Sequence, residues 1–212
     1  MRKFLCILFI IPLAFFYACK TNTPNFDENI FILRTNLYYG ENENFKLSAH
    51  YGFNKEKSSD YALTFTLKDR ADDNIEYNVS LTFDQKEYKS AFKLNPVSGN
   101  LVADLYIPNF NQTQFTATIT YSSCTEQILL NSTLPKEYKT YKQALQSLYE
   151  SQNELFKSYS DSNGNFNAQM IVKAIVKNEK LYYYIAFKQD NSFKALLVDG
   201  NTLEVLAVRQ IF

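Results

Sequence analysis

The residues best suited by type to catalysis or metal binding are few in this chain of 212: one histidine, three cysteines, and two loops rich in acids and amides. Histidine is the usual general base and the commonest metal ligand, so a single copy leaves little room for either chemistry. That residue, His50, lies between Ala49 and Tyr51, and strand alternation puts it on the outward face beside Lys46 and Ser48. It is expected at the surface, away from any acid or nucleophile. The loop Asp69-Arg70-Ala71-Asp72-Asp73-Asn74 offers carboxylates that suit Ca²⁺, but solvated hairpin loops have the same composition, and a turn is the expectation. In Asp161-Ser162-Asn163-Gly164-Asn165 the glycine comes too early for a calcium loop, and Val172 stands where a bidentate Glu belongs. No Gly-rich phosphate cradle, Gly-x-Ser-x-Gly elbow, His-Glu-x-x-His or paired Cys-x-x-Cys occurs. The expectation is therefore no catalytic residue, no metal and no cofactor. An envelope hydrolase or modifying enzyme using carboxylates alone is the alternative, with residue types but no positions in its favour.

Charge narrows the partners. Twenty-two basic side chains balance 22 acidic ones, which removes the field a nucleic-acid binder needs. The chain opens with Arg2 and Lys3, then an apolar run from Phe4 to Phe16 broken only by Pro12, too short to span a bilayer. Residues 1–18 read as a secretory signal peptide. The run closes on Phe16-Tyr17-Ala18-Cys19, which resembles the lipobox of bacterial lipoproteins. That resemblance implies that Cys19 begins the mature chain, carries lipid, and anchors it extracytoplasmically to a bacterial membrane in the cell envelope. The alternative is an ordinary signal cleaved near Ala18. Residues 19–29, polar and containing Pro24, read as a lipidated tether. With Cys19 capped, Cys124 has no partner for a disulfide; it shares strand parity with Ile128 and Leu130 and is expected to be a buried, apolar thiol.

The folded body reads as mainly β. From residue 30 to 134 apolar side chains alternate with polar ones, most clearly in Phe45-Leu47-Ala49-Tyr51, Tyr61-Leu63-Phe65-Leu67, Ile75-Tyr77-Val79-Leu81-Phe83 and Phe115-Ala117-Ile119-Tyr121. Weaker strands are expected at Phe31–Arg34, Tyr88–Leu94, Leu101–Ile107 and Thr125–Asn131. Such a series suits an antiparallel, immunoglobulin-like β-sandwich. Residues 135–212 form a small α+β domain. After Pro135 the period becomes helical, with Tyr138, Tyr141, Leu145, Leu148, Leu155 and Tyr159 on one face of a helix of about 22 residues. A four-stranded antiparallel meander follows, over Ala168–Lys177, Leu181–Lys188, Phe193–Val198 and Leu203–Gln210.

The stretch Tyr184-Ile-Ala-Phe-Lys…Phe193-Lys-Ala-Leu-Leu-Val-Asp199-Gly-Asn-Thr202-Leu-Glu204-Val205-Leu206 is similar to the end of PepSY-type domains. The resemblance implies an extracytoplasmic module that binds or restrains a peptidase or another envelope protein. From the residues themselves comes a separate argument. Tyr182, Tyr184 and Ala186 share one face of their strand, Leu181, Tyr183, Ile185 and Phe187 the other, and the neighbouring strands are likewise apolar on both sides. One helix covers only one face, so the second meets either the sandwich or a partner. Tyr182 and Tyr184 are the candidate partner-binding residues. The function expected is a non-catalytic binding module, held to the membrane through its lipid anchor, for an envelope protein, peptide or glycan.

Overall fold

The computed structural model describes residues 25–68, 75–190 and 192–211. Cys19, the leader and the Asp69–Asn74 loop lie outside the described residues. The protein is mainly β, with thirteen strands and two helices among those residues.

The alternating segments form two facing layers. In the first, β1 (Ile30–Glu41), β2 (Lys46–Asn54), β3 (Ser58–Lys68), β7 (Leu101–Leu105) and the short β6 (Lys93–Leu94) run in the order β1-β2-β3-β7-β6. In the second, β5 (Lys86–Ala91), β4 (Tyr77–Phe83), β8 (Gln114–Tyr121) and β9 (Cys124–Ser132) run β5-β4-β8-β9. Between them Phe45, Leu47, Phe65, Tyr77, Phe110 and Ile119 are fully buried, which is where period-two alternation sends every second side chain. Pairing of Tyr38 with Ser132 and Tyr39 with Asn131 joins the layers along one side, so the arrangement is sandwich-like and verges on a barrel. The segment expected as one strand over Tyr88–Leu94 is split instead: β5 ends at Ala91 in one layer, buried Phe92 marks the crossing, and β6 belongs to the other. Ile75 precedes β4 rather than opening it.

The helix is shorter than its periodicity suggested, and it is broken. It starts at Tyr141, not Lys136, because Thr140 and Gln143 form a reciprocal capping box and the backbone just before it is already engaged by the sheet. There Lys139 donates its amide to the Gly200 carbonyl (2.8 Å) and accepts the Tyr183 hydroxyl (2.7 Å). At the other end Ser151 bonds back to the Ser147 carbonyl (2.7 Å), Gln152 leaves helical geometry, and α1 (Tyr141–Ser151) gives way to α2 (Asn153–Ser158). The break seats Phe156 and Tyr159 on the sheet beside Phe187.

That sheet is the expected meander: β10 (Gln169–Lys177), β11 (Lys180–Gln189), β12 (Ser192–Asp199) and β13 (Val205–Ile211). Its junction with the first layer is edge to edge. β10 pairs in parallel with the first half of β1, Leu33 beside Val172 and Arg34 beside Lys173, giving a continuous nine-strand order β13-β12-β11-β10-β1-β2-β3-β7-β6. A bulge between Arg34 and Asn36 shifts the parity of β1, so Leu33 joins the core under the helices while Tyr38 joins the core of the sandwich. The opposing glycine is required: a Cβ on Gly52 would lie 1.9 Å from the Leu33 carbonyl oxygen. Through β2, where Phe53 and Tyr51 have the same parity, both cores fall on one face of the long sheet. The chain joins this body before β1, since Phe26, expected within the tether, is 5% exposed and belongs to the second core.

Candidate functional site

Arg34, His50, Thr64, Thr66, Asp104, Lys173, Tyr182 and Tyr184 all point to the opposite face by register. No hydrophobic core forms on that face among the described residues. The sandwich therefore adjoins the face of the candidate tyrosines instead of covering it. Tyr184 stands between Lys173 and Leu197, and Tyr182 between Ile175 and Asp199. Both tyrosines are half-buried, and burial raises the pKa of the Tyr184 hydroxyl.

Beside them the face is hollowed into a cavity of about 400 Å³. Its floor is formed by β1, β2, β3, β7 and Lys173 of β10; its rim is Lys57 in the turn after β2, Ser58 at the start of β3, and the turn after β6 with Asn95 and Ser98. On one wall Asp104 accepts from Lys57 Nζ (3.2 Å) and from the Thr64 hydroxyl (2.7 Å), so that carboxylate is matched. The other wall is unmatched. Arg34 and Lys173 sit side by side with no hydrogen bond or ion pair to either side chain among the described residues, and Arg34 Nε is sealed from solvent without an acceptor. Burial lowers the pKa of both groups; Arg34 lowers that of Lys173 further, and Glu56 partly offsets this.

His50 opens onto the same cavity, which corrects the expectation of an ordinary surface residue. Its parity is as expected, on the face away from the sandwich core, and there it is half-buried. Burial first, then the charges of Arg34, Lys173 and Lys57, push its pKa down to about 3. The imidazole is neutral at ordinary pH, one nitrogen donating and the other accepting.

Cys124 also differs from expectation: it is exposed. The parity with Ile128 and Leu130 holds, but β9 runs past the end of the core, and already at Glu126 the inward side is polar. Glu126 accepts from the Tyr121 hydroxyl (2.5 Å) and from the side chains of Asn42 and Asn44. The Asp161 loop closes on itself, with Asp161 Oδ1 accepting the amides of Asn163 (2.8 Å) and Asn165 (2.9 Å). These bonds lower the pKa of Asp161. Asp199, the acid of the PepSY-like stretch, likewise accepts the amides of Asn201 (2.8 Å) and Thr202 (2.9 Å) and shapes the turn after β12. Among the described residues no group of His, Cys, Asp and Glu is placed to hold a metal ion, and no helix is long and apolar enough to cross a membrane.

Arg34 and Lys173 were not singled out by sequence. The available signal was weak but physical: Lys173 is a lone charge in the apolar run Met170–Val176, on the parity of Ile171 and Ile175. No protein-family model matches the chain, and no curated protein or solved structure does.

Proposed function

We propose that this protein is a non-catalytic binding module, anchored by lipid on Cys19 to the extracytoplasmic side of a bacterial membrane, that presents the open face of its long sheet to an envelope protein, peptide or glycan. The observation that carries this reading is the one-sided sheet. Both cores lie on one face, and the other offers half-buried Tyr182 and Tyr184 beside a preformed polar cavity. The leader ending at Cys19 supplies the address. The strand order β2-β3-β7-β6 against β9-β8-β4-β5 favours an immunoglobulin-like sandwich, since it follows the A-B-E-D and G-F-C-C′ order of that fold. On this reading β1 is an added strand that welds the sandwich to a PepSY-like helix-and-meander unit.

Two measurements test the proposal. Metabolic palmitate labelling should mark the native protein and leave Cys19→Ala unlabelled; equal labelling ends the anchor. A photo-crosslinking residue at position 184 should capture one defined envelope component, and the same residue at position 157, on the helix side, should not. Equal capture from both positions removes the open face as the binding surface.

A further inference from the structure

We propose that the cavity between Arg34, His50 and Lys173 takes the carboxylate of an acidic sugar, such as a uronic acid, which rests on the binding-module reading and names its ligand class. The argument begins with the missing counter-charge. Two adjacent cations on neighbouring strands repel one another, and a guanidinium Nε sealed from water without an acceptor forfeits a hydrogen bond. A carboxylate laid end-on against Arg34 uses its two terminal nitrogens, which unlike Nε are not sealed, in the bidentate geometry that favours arginine over lysine for this task. Lys173 then supplies the second charge from the adjacent strand.

Among the described residues the protein's own acids do not fill this place. Asp104 is held by Lys57 and Thr64, Asp60 bonds with Ser58 at the exposed rim, and Glu56, the acid that acts on Lys173, is exposed. His50, being neutral, adds a donor and an acceptor without adding charge.

The remaining lining suits hydroxyl groups. Asn54 and Asn95 spend their side-chain oxygens on the amides of their own turns, leaving both Nδ2 groups without a partner among the described residues. Thr66 and Asn100 add further polar groups. The apolar lining is Ile32, Leu33, Phe53, Ala62 and Val102, with Tyr106, 48% exposed, as a further ring. Amides beside apolar side chains and an aromatic ring match the hydroxyls and C–H face of a pyranose, and about 400 Å³ accommodates one or two rings. A peptide terminus would match the carboxylate site equally but would use few of the amides.

The test is calorimetric titration of the full, lipidated protein in detergent with methyl β-D-glucuronide, methyl β-D-glucoside and triglycine. The glucuronide should bind at least tenfold more tightly than the neutral glucoside and than triglycine. Arg34→Gln and Lys173→Met should each weaken it at least tenfold without lowering the melting temperature, and Lys157→Gln should leave it unchanged. Equal binding of glucuronide and glucoside, or undiminished binding by Arg34→Gln, overturns the proposal. Tighter binding of triglycine overturns the sugar and makes the ligand a peptide terminus. If the glucuronide does not bind while position 184 still captures its envelope component, the acidic-sugar assignment falls and the binding module stands; if both fail, both fall.

Discussion

Arg34 and Lys173 are direct neighbours in the parallel register of β1 and β10, two cations half-buried on one face with no carboxylate bonded to either among the described residues. Such a pair lowers stability in the unliganded protein. Arg34→Met keeps most of the aliphatic stem while removing the charge and the stranded Nε, so it should stabilise the chain by about 1 kcal/mol. Lys173→Met should then gain less in the Arg34→Met background than alone, since the repulsion has already gone. Thermal melts of the two single variants and the double variant check this. A loss of stability in Arg34→Met, unrelieved by Lys173→Met, would mean that the guanidinium is held by something favourable after all.

His50 makes stability depend on pH, with a definite sign. Its pKa is about 3 in the folded protein against an ordinary 6.5, so between those values the unfolded chain takes up a proton that the folded chain refuses. The groups facing it are the cations Arg34, Lys173 and Lys57, with Asp104 beyond Thr64 on the next strands. Its contribution is fully present above about pH 6.5 and is lost as the pH falls toward 3. Carboxylates titrate at the lower end, so the measurement is a comparison. From pH 7 to about 5 the urea midpoint of the native protein should fall more steeply than that of His50→Gln. Parallel slopes, or an imidazole titrating near its ordinary value by NMR, would contradict the enclosed, neutral ring.

Local signals of the sequence were faithful where structure is local. Alternation in Phe45–Tyr51 and Phe115–Tyr121 located strands because each has one face in the core. What the sequence hid is non-local. Nothing in Phe31–Arg34 announces a parallel partner more than a hundred residues away, and the bulge that reverses its parity depends on how Gly52 meets Leu33. Without that junction the sandwich is free to lie over Tyr182 and Tyr184, and nothing places Arg34 beside Lys173. Helical periodicity likewise ran through Gln152, because spacing alone does not record that Ser151 turns its hydroxyl back onto the helix.

The two faces of β11 should respond differently to truncation. Phe187 is fully buried and its ring meets those of Phe156, Tyr159 and Phe166, so Phe187→Ala should cost about 3–5 kcal/mol. Tyr184 is half-buried on the open face, and Tyr184→Ser should cost about 1 kcal/mol while reducing capture of the envelope component. Chemical denaturation gives both values. A Tyr184→Ser penalty equal to that of Phe187→Ala would show that the open face is a second interior.

The point where the chain enters the folded body is set by Phe26. Its ring lies 5.2 Å from Phe156, 5.3 Å from Phe166 and 5.8 Å from Tyr149, a cluster that closes the second core at the end of the helices. The neighbouring Asp27–Lys142 pair, 2.8 Å long but exposed on both sides, contributes little by comparison. Phe26→Ala should therefore cost about 3–4 kcal/mol, and Lys142→Ala less than about 0.5 kcal/mol. A chain beginning at Asn25 should melt with the intact protein, whereas one beginning at Glu28 should melt with Phe26→Ala. With Cys19 as the proposed anchor, a docked Phe26 leaves seven residues of reach, at most roughly 25 Å. The body would then stand close against the bilayer. If the chain beginning at Glu28 proved as stable as the whole, Phe26 would not be docked, and the tether would be free to the start of β1.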